Sequence, residues 1–376
     1  MKLAITLIAV LLFTNCKNEK KPVMANVAHK KTNTFYVGTY TDKESKGIYK
    51  YAINNEGMLT EIGLVATTDN PSFLALSNDK KYLLVVNEVN KDSIGFVSSY
   101  GIKNDSLEFI NKSSSGGAHP CFIAVNKQGY VLSANYTGGN VGLLKLNKNG
   151  ELSPLLDLNQ HGGKGTTDRQ EGPHAHSAWF EPEDDVSVIS VDLGTNELWF
   201  SKIDENSDKF IASEPQKLAM ATGAGPRHLT FHPNKKYLYI LNELDNTISL
   251  VQKSETGGYQ IKQTITTLPE NFTEFSKSAD IHISSDGKFV YSSNRGHDSI
   301  AIFAVNATNG NLTLLAFEST KGKTPRNFSL SNDENYVIVA NQDSNNLVSF
   351  KRNNTTGLLK YISEIKAPTP VCILFN

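Results

Sequence analysis

One pattern of strand, turn and strand recurs along the whole of this chain. Residues 225–243, GPRHLTFHPNKKYLYILNE, read as a short apolar strand, a polar turn and a second apolar strand that ends in asparagine. Similar lines recur every 45 to 53 residues, each anchored on a proline or, once, an alanine: Pro71, Pro120, Pro173, Pro226, Ala279, Pro325 and Pro370. A period of about 50 residues with three or four short strands per unit is typical of a propeller blade.

The last repeat is incomplete, and its missing strands are found near the start of the chain. TPVCILF, from Thr369, supplies only a first strand. Residues 34–53 match the second and third strands of the repeat, and residues 59–67, LTEIGLVAT, match the fourth. We therefore predict an all-β, seven-bladed β-propeller over residues 34–376, closed by pairing of the C-terminal strand with the N-terminal strands. Helical periodicity is absent from this range.

The N-terminus differs from the repeats. The stretch MKLAITLIAVLLFTNC is too short to span a membrane and ends at Cys16. It predicts a bacterial lipoprotein signal over residues 1–16, with Cys16 lipidated. The match is imperfect, because Phe13 and Asn15 replace the small residues usual before such a cysteine. Residues 17–33 would then form a polar tether. A plain secretory signal and an uncleaved anchor are the alternatives. We expect an exported protein, lipid-anchored on the periplasmic side or the cell surface, with no other membrane segment.

Charge and cysteine content limit the possible functions. The formal net charge is −1, which gives no case for a nucleic-acid partner. Any anionic ligand must therefore be held by local placement of basic side chains. Beyond Cys16, only Cys121 and Cys372 remain, both in apolar runs, which predicts two buried thiols; a disulfide between them is the alternative.

The repeat also predicts which distant side chains meet. In an antiparallel pair the start of the first strand lies beside the end of the second, so both positions should ring one mouth of the central channel. The position after the anchor holds Ser72, Cys121, His174, Arg227, Asp280, Arg326 and Val371. The position after the polar end of the second strand holds Tyr40, Glu88, Tyr136, Leu193, Glu243, Arg295 and Gln342.

Arginine is concentrated at this predicted mouth. Three of the five arginines, Arg227, Arg295 and Arg326, fall in the two columns, and Arg169 lies in the loop that should lead onto the same side. Arginine binds carboxylate or phosphate through a fixed bidentate fork, which lysine lacks. The pattern favours an anion-binding site. The alternative is that these arginines are salt-bridged staples of the blades, for instance Arg227 with Glu243.

Two histidines belong to the same predicted mouth. His174 and His176, in EGPHAHS, alternate on one strand face, and such a pair beside arginines suits a base or proton shuttle. A structural role is the alternative. A metal site is disfavoured because no cysteine or carboxylate has matching spacing. His29, His161 and His232 fall in the tether, a loop and a turn, and we assign them no role.

The second strands end in a polar series that invites a different interpretation. Its members are Thr39, Asn87, Asn135, Asp192, Asn242, Asn294 and Asn341. A ring of Asn and Asp could bind calcium. Asparagine at a strand end also caps the turn with its own side chain, and we expect this scaffold role because the residue recurs in nearly every blade.

Several of these stretches resemble a known family. GPHAHS, GAGPRHLTFHPNKKYLYILNE, SADIHISSDGKFVYSSNRGHDSIAIF and TPRNFSLS resemble the propeller-type lactonases, the family of bacterial 6-phosphogluconolactonase and fungal carboxymuconate lactonizing enzyme. The resemblance runs from about Thr34 to the C-terminus and implies a seven-bladed fold that requires no cofactor. It also implies a site of one His, two Arg and one Glu, which maps onto His174 or His176, Arg227, Glu243 and Arg295. Asp280 departs from the glutamate more usual at its position, and the lipoprotein-like N-terminus departs from a cytoplasmic phosphogluconolactonase.

The leading hypothesis is hydrolysis of a sugar-acid lactone, 6-phosphogluconolactone or a relative. Lactone opening needs a base for water and positive charge near the developing oxyanion. We expect His174 or His176, with Glu243, to act as base or to orient it. Arg227 and Arg295 would polarise the carbonyl or hold the acid. The candidates for substrate binding are Arg326, suited to a distal anionic group such as phosphate, Asp280 and Arg169.

Two other functions fit the same residues. The arginines could hold the carboxylates of a muconate-type diacid while it closes to a lactone, which is a cycloisomerase reaction. The chain could also be a non-catalytic binding propeller on the cell surface that recognises a glycan or a protein. The partner expected under the leading hypothesis is a small anionic lactone or sugar acid.

Overall fold

The computed structural model describes residues 33–104, 106–254 and 258–376. Cys16 and the predicted signal lie outside the described residues, as does all of the predicted tether except Asn33. Within these ranges, 28 strands form seven four-stranded sheets. The helical content described is a 3₁₀ helix, Asp168–Gln170. None of the helices in these ranges has the length and apolar character that a membrane span requires.

The strands follow one another blade by blade. Blade 1 contains β1 (Asn33–Thr39), β2 (Gly47–Ile53) and β3 (Leu59–Thr67). Blade 2 contains β4 (Phe73–Leu76), β5 (Tyr82–Lys91), β6 (Ile94–Lys103) and β7 (Ser106–Ser114). Blade 3 contains β8 (Pro120–Val125), β9 (Tyr130–Asn135), β10 (Asn140–Lys145) and β11 (Asp157–Gln160). Blade 4 contains β12 (Ala175–Phe180), β13 (Ser187–Asp192), β14 (Glu197–Asp204) and β15 (Lys209–Ala219).

The remaining blades repeat this order. Blade 5 contains β16 (Pro226–Phe231), β17 (Tyr237–Asn242), β18 (Thr247–Lys253) and β19 (Tyr259–Thr266). Blade 6 contains β20 (Lys277–Ile283), β21 (Phe289–Arg295), β22 (Ser299–Val305) and β23 (Leu312–Ser319). Blade 7 contains β24 (Pro325–Leu330), β25 (Tyr336–Asn341), β26 (Asn346–Arg352) and β27 (Leu359–Lys366). The last strand is β28 (Pro370–Phe375), and it belongs to blade 1.

The ring is closed by strand β28. It pairs antiparallel with β1, with Phe375 opposite Phe35 and Ile373 opposite Val37, and blade 1 has the order β28, β1, β2, β3. The first strands of all neighbouring blades, including β28 and β4, contact one another around a central channel. The predicted seven-bladed propeller and its closure are confirmed.

The position of a strand within its blade explains its sequence. The second strands β9, β17 and β25 are buried at every position, because neighbouring sheets cover both of their faces. Their sequences, such as YLYILN, are accordingly almost continuous apolar runs. The outermost strand β19, YQIKQTIT, alternates between half-buried and exposed residues because only one of its faces is covered.

Seven hydrophobic clusters hold the described blades together, one at each interface between neighbours. The cluster of blades 3 and 4 joins Phe122 and Leu132 to Val188. The cluster of blades 7 and 1 joins Ile338 to Ile373, so ring closure completes the seventh interface. Full burial of one such side chain contributes about 1.5–3 kcal/mol, and every blade receives this from both sides.

Four of the five asparagines in the polar series bind the loops leading into their own blades, whereas Asn242 binds Thr247 and Ser249 of its own blade. Asn135 Nδ2 donates to the Ser115 carbonyl at 2.9 Å, and Asn294 Nδ2 donates to the Thr267 carbonyl at 2.6 Å. Asn341 makes the corresponding bond in blade 7, and all three asparagines are fully buried. Because each bond fixes a crossover from the outer strand of the preceding blade, the geometry supports the scaffold interpretation of this series.

Candidate active site

The inner strands share a β-bulge near their starts. In β16, Pro226 lies opposite Asn242 and His228 opposite Leu241, so Arg227 is an extra residue. The same register shift occurs in five other inner strands, and the extra residues are Cys121, His176, Arg227, Ala279 with Asp280, Arg326 and Val371. A bulge redirects side chains that strict alternation would place on opposite faces. It thereby brings several of these side chains to one end of the channel.

The predicted alignment of blade 4 is wrong by two residues. Ala175, and not Pro173, lies opposite Asp192, so the extra residue of the bulge is His176. The proline of this repeat stands two residues before the strand begins. A smaller correction applies in blade 6, where Ser278 takes the anchor position opposite Asn294 and two residues follow it in the bulge.

His174 therefore lies outside the strand and has other partners. Its ring stacks on Tyr136 with 4.4 Å between the ring centroids. Its Nδ1 lies 3.0 Å from the Tyr136 carbonyl oxygen, and its Nε2 lies 3.1 Å from Glu171 Oε1. Both ring nitrogens of His174 are engaged by the protein, and this histidine does not line the cavity described below.

Glu243 is the centre of charge in the site. It follows Asn242 at the end of β17 and is buried. Its Oε2 lies 3.0 Å from Arg227 Nε and 3.0 Å from Arg295 Nη2, and its Oε1 lies 3.5 Å from Arg169 Nη2. Three of the four arginines predicted at the mouth thus converge on one carboxylate.

These contacts set the protonation states. Burial alone would raise the pKa of Glu243, but Arg295, Arg227 and Arg169 outweigh it and lower that pKa to about 2. Burial, together with the charges of Arg295 and Arg326, lowers the pKa of Arg227 to about 10. Both groups are charged at neutral pH. Glu243 therefore acts as an ionised acceptor that holds the guanidinium groups, and it is a poor proton acceptor.

Arg169 reaches this cluster from the loop between β11 and β12. It lies on the 3₁₀ helix Asp168–Gln170, and its Nη2 donates to the Tyr136 hydroxyl at 2.6 Å. The helix is fixed by the buried Gln170, whose Nε2 donates to the Leu193 carbonyl at 2.8 Å. The loop thus delivers a basic side chain to the side of the propeller that carries Glu243.

Arg326 differs from the other three arginines. It makes no ion pair and no hydrogen bond with any residue in the described ranges. Its guanidinium carbon lies 5.3 Å from the centroid of the Tyr40 ring, whose hydroxyl donates to Glu88 Oε2 at 2.9 Å. The donor groups of Arg326 are therefore available to a ligand.

These side chains surround a cavity of about 180 Å³. Its lining residues are Glu88, Cys121, Tyr136, Arg169, His176, Glu243, Lys277, Arg295 and Arg326. Arg227 lines an adjoining chamber of about 10 Å³, whose walls also include Glu88, Cys121 and Arg326. Five basic side chains face two carboxylates here, so the local charge is positive although the whole chain carries a net charge of −1.

His176 is the histidine that lines the cavity. Its Nδ1 lies 3.7 Å from Cys121 Sγ, and both side chains are buried. Burial, followed by the effects of Arg227, His228 and Arg326, lowers the pKa of His176 well below its ordinary value of 6.5. The ring is therefore neutral at pH 7, and one of its nitrogens carries a lone pair. The neighbouring Cys121 is a free buried thiol, as predicted, and so is Cys372.

Four lining residues were given no functional role from the sequence: Glu88, Cys121, Tyr136 and Lys277. Glu88 and Tyr136 follow Asn87 and Asn135 in the column that also contains Glu243 and Arg295, and Cys121 follows the anchor Pro120, so the repeat carried the signal that selects these three. Lys277 lies opposite Arg295 across β20 and β21, and no feature of the sequence distinguished it from the other lysines.

Asp280 was predicted to bind substrate, but it does not line the cavity. Its buried carboxylate accepts hydrogen bonds from His228 Nδ1 at 2.8 Å and from His282 Nε2 at 3.0 Å. Asp280 is linked to the adjoining chamber through His228 and through Asn327, whose Nδ2 donates to it. Across the ranges that the structure describes, no group of three His, Cys, Asp or Glu side chains is placed to hold a metal ion.

The fold and this site define the class of protein. The family model described as "Lactonase, 7-bladed beta-propeller" matches residues 34–375, and the chain belongs to this family.

Relatives within this class are similar over nearly their whole length. A 6-phosphogluconolactonase of Bacillus subtilis is 37% identical over 346 residues, which cover 90% of this chain and 97% of that protein. A putative 6-phosphogluconolactonase from Bacteroides fragilis has a solved structure with a TM-score of 0.86 and 34% identity, covering 94% of this chain and 99% of the other. The structure of a periplasmic gluconolactonase from Pseudomonas aeruginosa has a TM-score of 0.87 and 29% identity, covering 92% and 98%.

The ion pairs of Glu243 predict how stability depends on pH. The folded-state pKa of about 2 lies below the ordinary value of 4.5, so the stabilisation is complete above pH 4.5 and is lost as the pH falls toward 2. Glu243→Gln should lower the free energy of unfolding by about 3–5 kcal/mol at pH 7, because three guanidinium groups lose their counter-charge. The difference in unfolding free energy between wild type and Glu243→Gln should shrink as the pH falls from 4.5 to 2. Urea unfolding at several pH values measures it.

Glu205→Gln, in an exposed turn, is the matched control and should leave unfolding close to wild type at every pH. A gap between wild type and Glu243→Gln that stayed constant from pH 7 to pH 2.5 would show that Glu243 does not stabilise the fold as a carboxylate.

Proposed function

We propose that the chain hydrolyses a sugar-acid lactone in the cavity at the channel mouth. The observation that carries this proposal is the combination of a neutral His176 and an unpaired Arg326 in a small, positively charged cavity. The product of lactone hydrolysis is a carboxylate, and the reaction passes through an oxyanion. Both are stabilised by guanidinium groups fixed in advance.

The lining residues suggest separate roles in the reaction. Water adds to the carbonyl carbon of the lactone while His176 accepts one of its protons. Arg295, which shares Glu243 Oε2 with Arg227, donates to the carbonyl oxygen as negative charge develops there. The ring C–O bond then breaks, and the proton passes from His176 to the departing ring oxygen, which becomes a hydroxyl group.

Glu243 and His174 have supporting parts in this proposal. Glu243 is the counter-ion that fixes the arginines, because guanidinium groups already occupy both of its carboxylate oxygens. His174 holds Tyr136 through stacking, and Tyr136 in turn receives the hydrogen bond of Arg169. Arg326 and Lys277, which make no ion pair with any described residue, hold the distal end of the substrate, which is where a phosphate would lie.

The names of relatives agree with a lactone substrate. Two of the relatives described above are named as 6-phosphogluconolactonases, one of them putative, and one structural neighbour is described as a periplasmic gluconolactonase. We propose 6-phosphogluconolactone or its unphosphorylated relative as the substrate of this chain, and an activity of the carboxylic ester hydrolase type.

Replacing Arg227 with lysine should impair catalysis and leave the fold intact. Lysine keeps the charge but cannot bind Glu243 and the Ala279 carbonyl at once, as Nε and Nη1 of Arg227 do. We therefore expect kcat for lactone hydrolysis to fall by about 10²-fold or more, with circular dichroism unchanged. The assay is a panel of sugar-acid lactones, each with and without phosphate, followed by acid release. Arg352→Lys is the matched control, because Arg352 is buried against Tyr291 and Glu334 and does not line the cavity.

Two outcomes of the panel would contradict the proposal. Unchanged kinetics in Arg227→Lys would remove this residue from the mechanism. Loss of muconate absorbance without acid release from any sugar lactone would replace hydrolysis by cycloisomerisation.

Arg326 should decide preference for a phosphorylated substrate. Arg326→Met should raise KM for a phosphorylated lactone by about 10–100-fold, since it removes a charge-assisted contact, and should change KM for the unphosphorylated lactone far less. Initial rates with both substrates give the two values. Equal effects on both substrates would show that Arg326 does not bind a phosphate.

We also propose that the protein is exported and anchored through Cys16. The sequence pattern up to Cys16 supports this, and so does the periplasmic location named for one structural neighbour. Cells expressing the full chain should incorporate labelled palmitate into it, and Cys16→Ser should abolish the label while the protein accumulates. A protein that remains unlabelled and cytoplasmic in wild-type form would contradict the proposal.

A further inference from the structure

His228 occupies the middle of the channel, behind the cavity. It follows Arg227 in β16 and is buried. Rings from three other blades surround it: the centroid of Phe73 lies 5.8 Å away, that of Phe122 lies 5.7 Å away, and that of His176 lies 5.4 Å away. Because the bulge breaks alternation, Arg227 and His228 both line the small chamber that adjoins the cavity.

Asp280 fixes the orientation of this imidazole. Its Oδ1 accepts from His228 Nδ1 at 2.8 Å, and its Oδ2 accepts from His282 Nε2 at 3.0 Å and from Asn327 Nδ2 at 2.6 Å. Asn327 is itself held, because its Oδ1 accepts the backbone NH of Ile373 in the closing strand at 2.7 Å. The carboxylate is thus anchored by side chains from blades 5, 6 and 7.

The other side of the imidazole faces Arg227. Arg227 Nη1 lies 3.3 Å from His228 Nε2 and 3.5 Å from its Nδ1, and it also donates to the Ala279 carbonyl. A guanidinium group only donates hydrogen bonds, so at least one of the two ring nitrogens that it approaches must carry a lone pair. Since the proton of Nδ1 is directed to Asp280, the free lone pair is that of Nε2.

We propose that His228 and Asp280 form a positioning pair for Arg227, in which Asp280 keeps His228 as the neutral Nδ1–H tautomer and His228 holds the guanidinium in place. Arg227 is then fixed at Nε by Glu243 and at Nη1 by His228 and Ala279. This leaves Nη2 for the substrate. The catalytic consequence rests on the proposed lactone hydrolysis, whereas the tautomer and the anchoring of Arg227 do not.

Electrostatics favour the neutral form of His228. Protonation would bring a second positive charge to within about 3.3 Å of the Arg227 guanidinium. Burial and the charge of Arg227 outweigh Asp280 and lower the pKa of His228 to about 4. The charged or titratable groups facing its ring are Arg227, Asp280, His282 and His176.

The first test is spectroscopic and needs no substrate. Long-range ¹H–¹⁵N spectra of histidine-labelled protein distinguish the two neutral tautomers, and the signal of His228 is identified by its loss in His228→Gln. We expect Nδ1 to be protonated and Nε2 to be unprotonated at pH 7. The Arg227 Nε–H signal, assigned with Arg227→Lys, should shift or broaden in His228→Phe. An Nε2–H tautomer, or an unaffected Arg227 signal, would overturn the proposal.

The second test is kinetic. His228→Phe keeps the packing against Phe73 and Phe122 but removes the acceptor, so kcat should fall by about 10²-fold while KM changes far less. His228→Gln can donate to Asp280 and accept from Arg227, and it should retain most of the wild-type kcat. His232→Gln, in a turn between β16 and β17, is the control and should leave both constants unchanged.

The two tests separate the possible failures. If wild type hydrolyses no lactone, the proposed function fails, and the spectra alone decide whether the positioning pair exists. If His228→Phe does not fold by circular dichroism, the tautomer spectrum and the kinetics of His228→Gln decide. A folded His228→Phe with wild-type kcat, or a His228→Gln as impaired as His228→Phe, would overturn the proposal.

Discussion

Pairing of β28 with β1 is the contact on which the remaining structure depends. Its register, with Phe35 opposite Phe375, converts a row of similar sheets into a ring. Closure buries the interface between blades 7 and 1 and leaves the described inner strands surrounding one channel. It also makes the site possible, because Arg326 of blade 7 meets Tyr40 of blade 1, whose hydroxyl binds Glu88 of blade 2. No open array of blades would bring these three residues together.

Within the ring, the β-bulge repeated in the inner strands supplies side chains to the candidate site. The bulge at the start of the inner strands places adjacent residues such as Arg227 and His228 against the same chamber. A bulge leaves one residue without a partner in the ladder, and the cost is offset by the packed strands and by the buried asparagines that hold the incoming loops. The regular part of each blade thus supports an irregular part that supplies functional side chains.

The charged side chains of the site interact strongly because they are buried. Charges removed from water interact strongly, so a single carboxylate, Glu243, holds Arg227, Arg295 and Arg169 in fixed positions. Full neutralisation would leave nothing to attract an anion. The cavity avoids this because Arg326 and Lys277 add positive charge to a site that contains only one other carboxylate, Glu88. A fixed, incompletely neutralised cluster of this kind stabilises developing negative charge without reorganising first.

The sequence by itself determined the seven blades, their closure and the meeting of Arg227, Glu243, Arg295 and Arg326, because a repeat fixes which positions become neighbours once its period is known. Tertiary structure alone decided that His176, and not His174, faces the cavity, since the register of β12 depends on pairing with β13. It also placed the side chain of His228 in contact with that of Arg227, although strict alternation along a strand would send neighbouring side chains to opposite faces. A bulge shifts a side chain from one face to the other through backbone hydrogen bonds, and those bonds form only when the partner strand is in place.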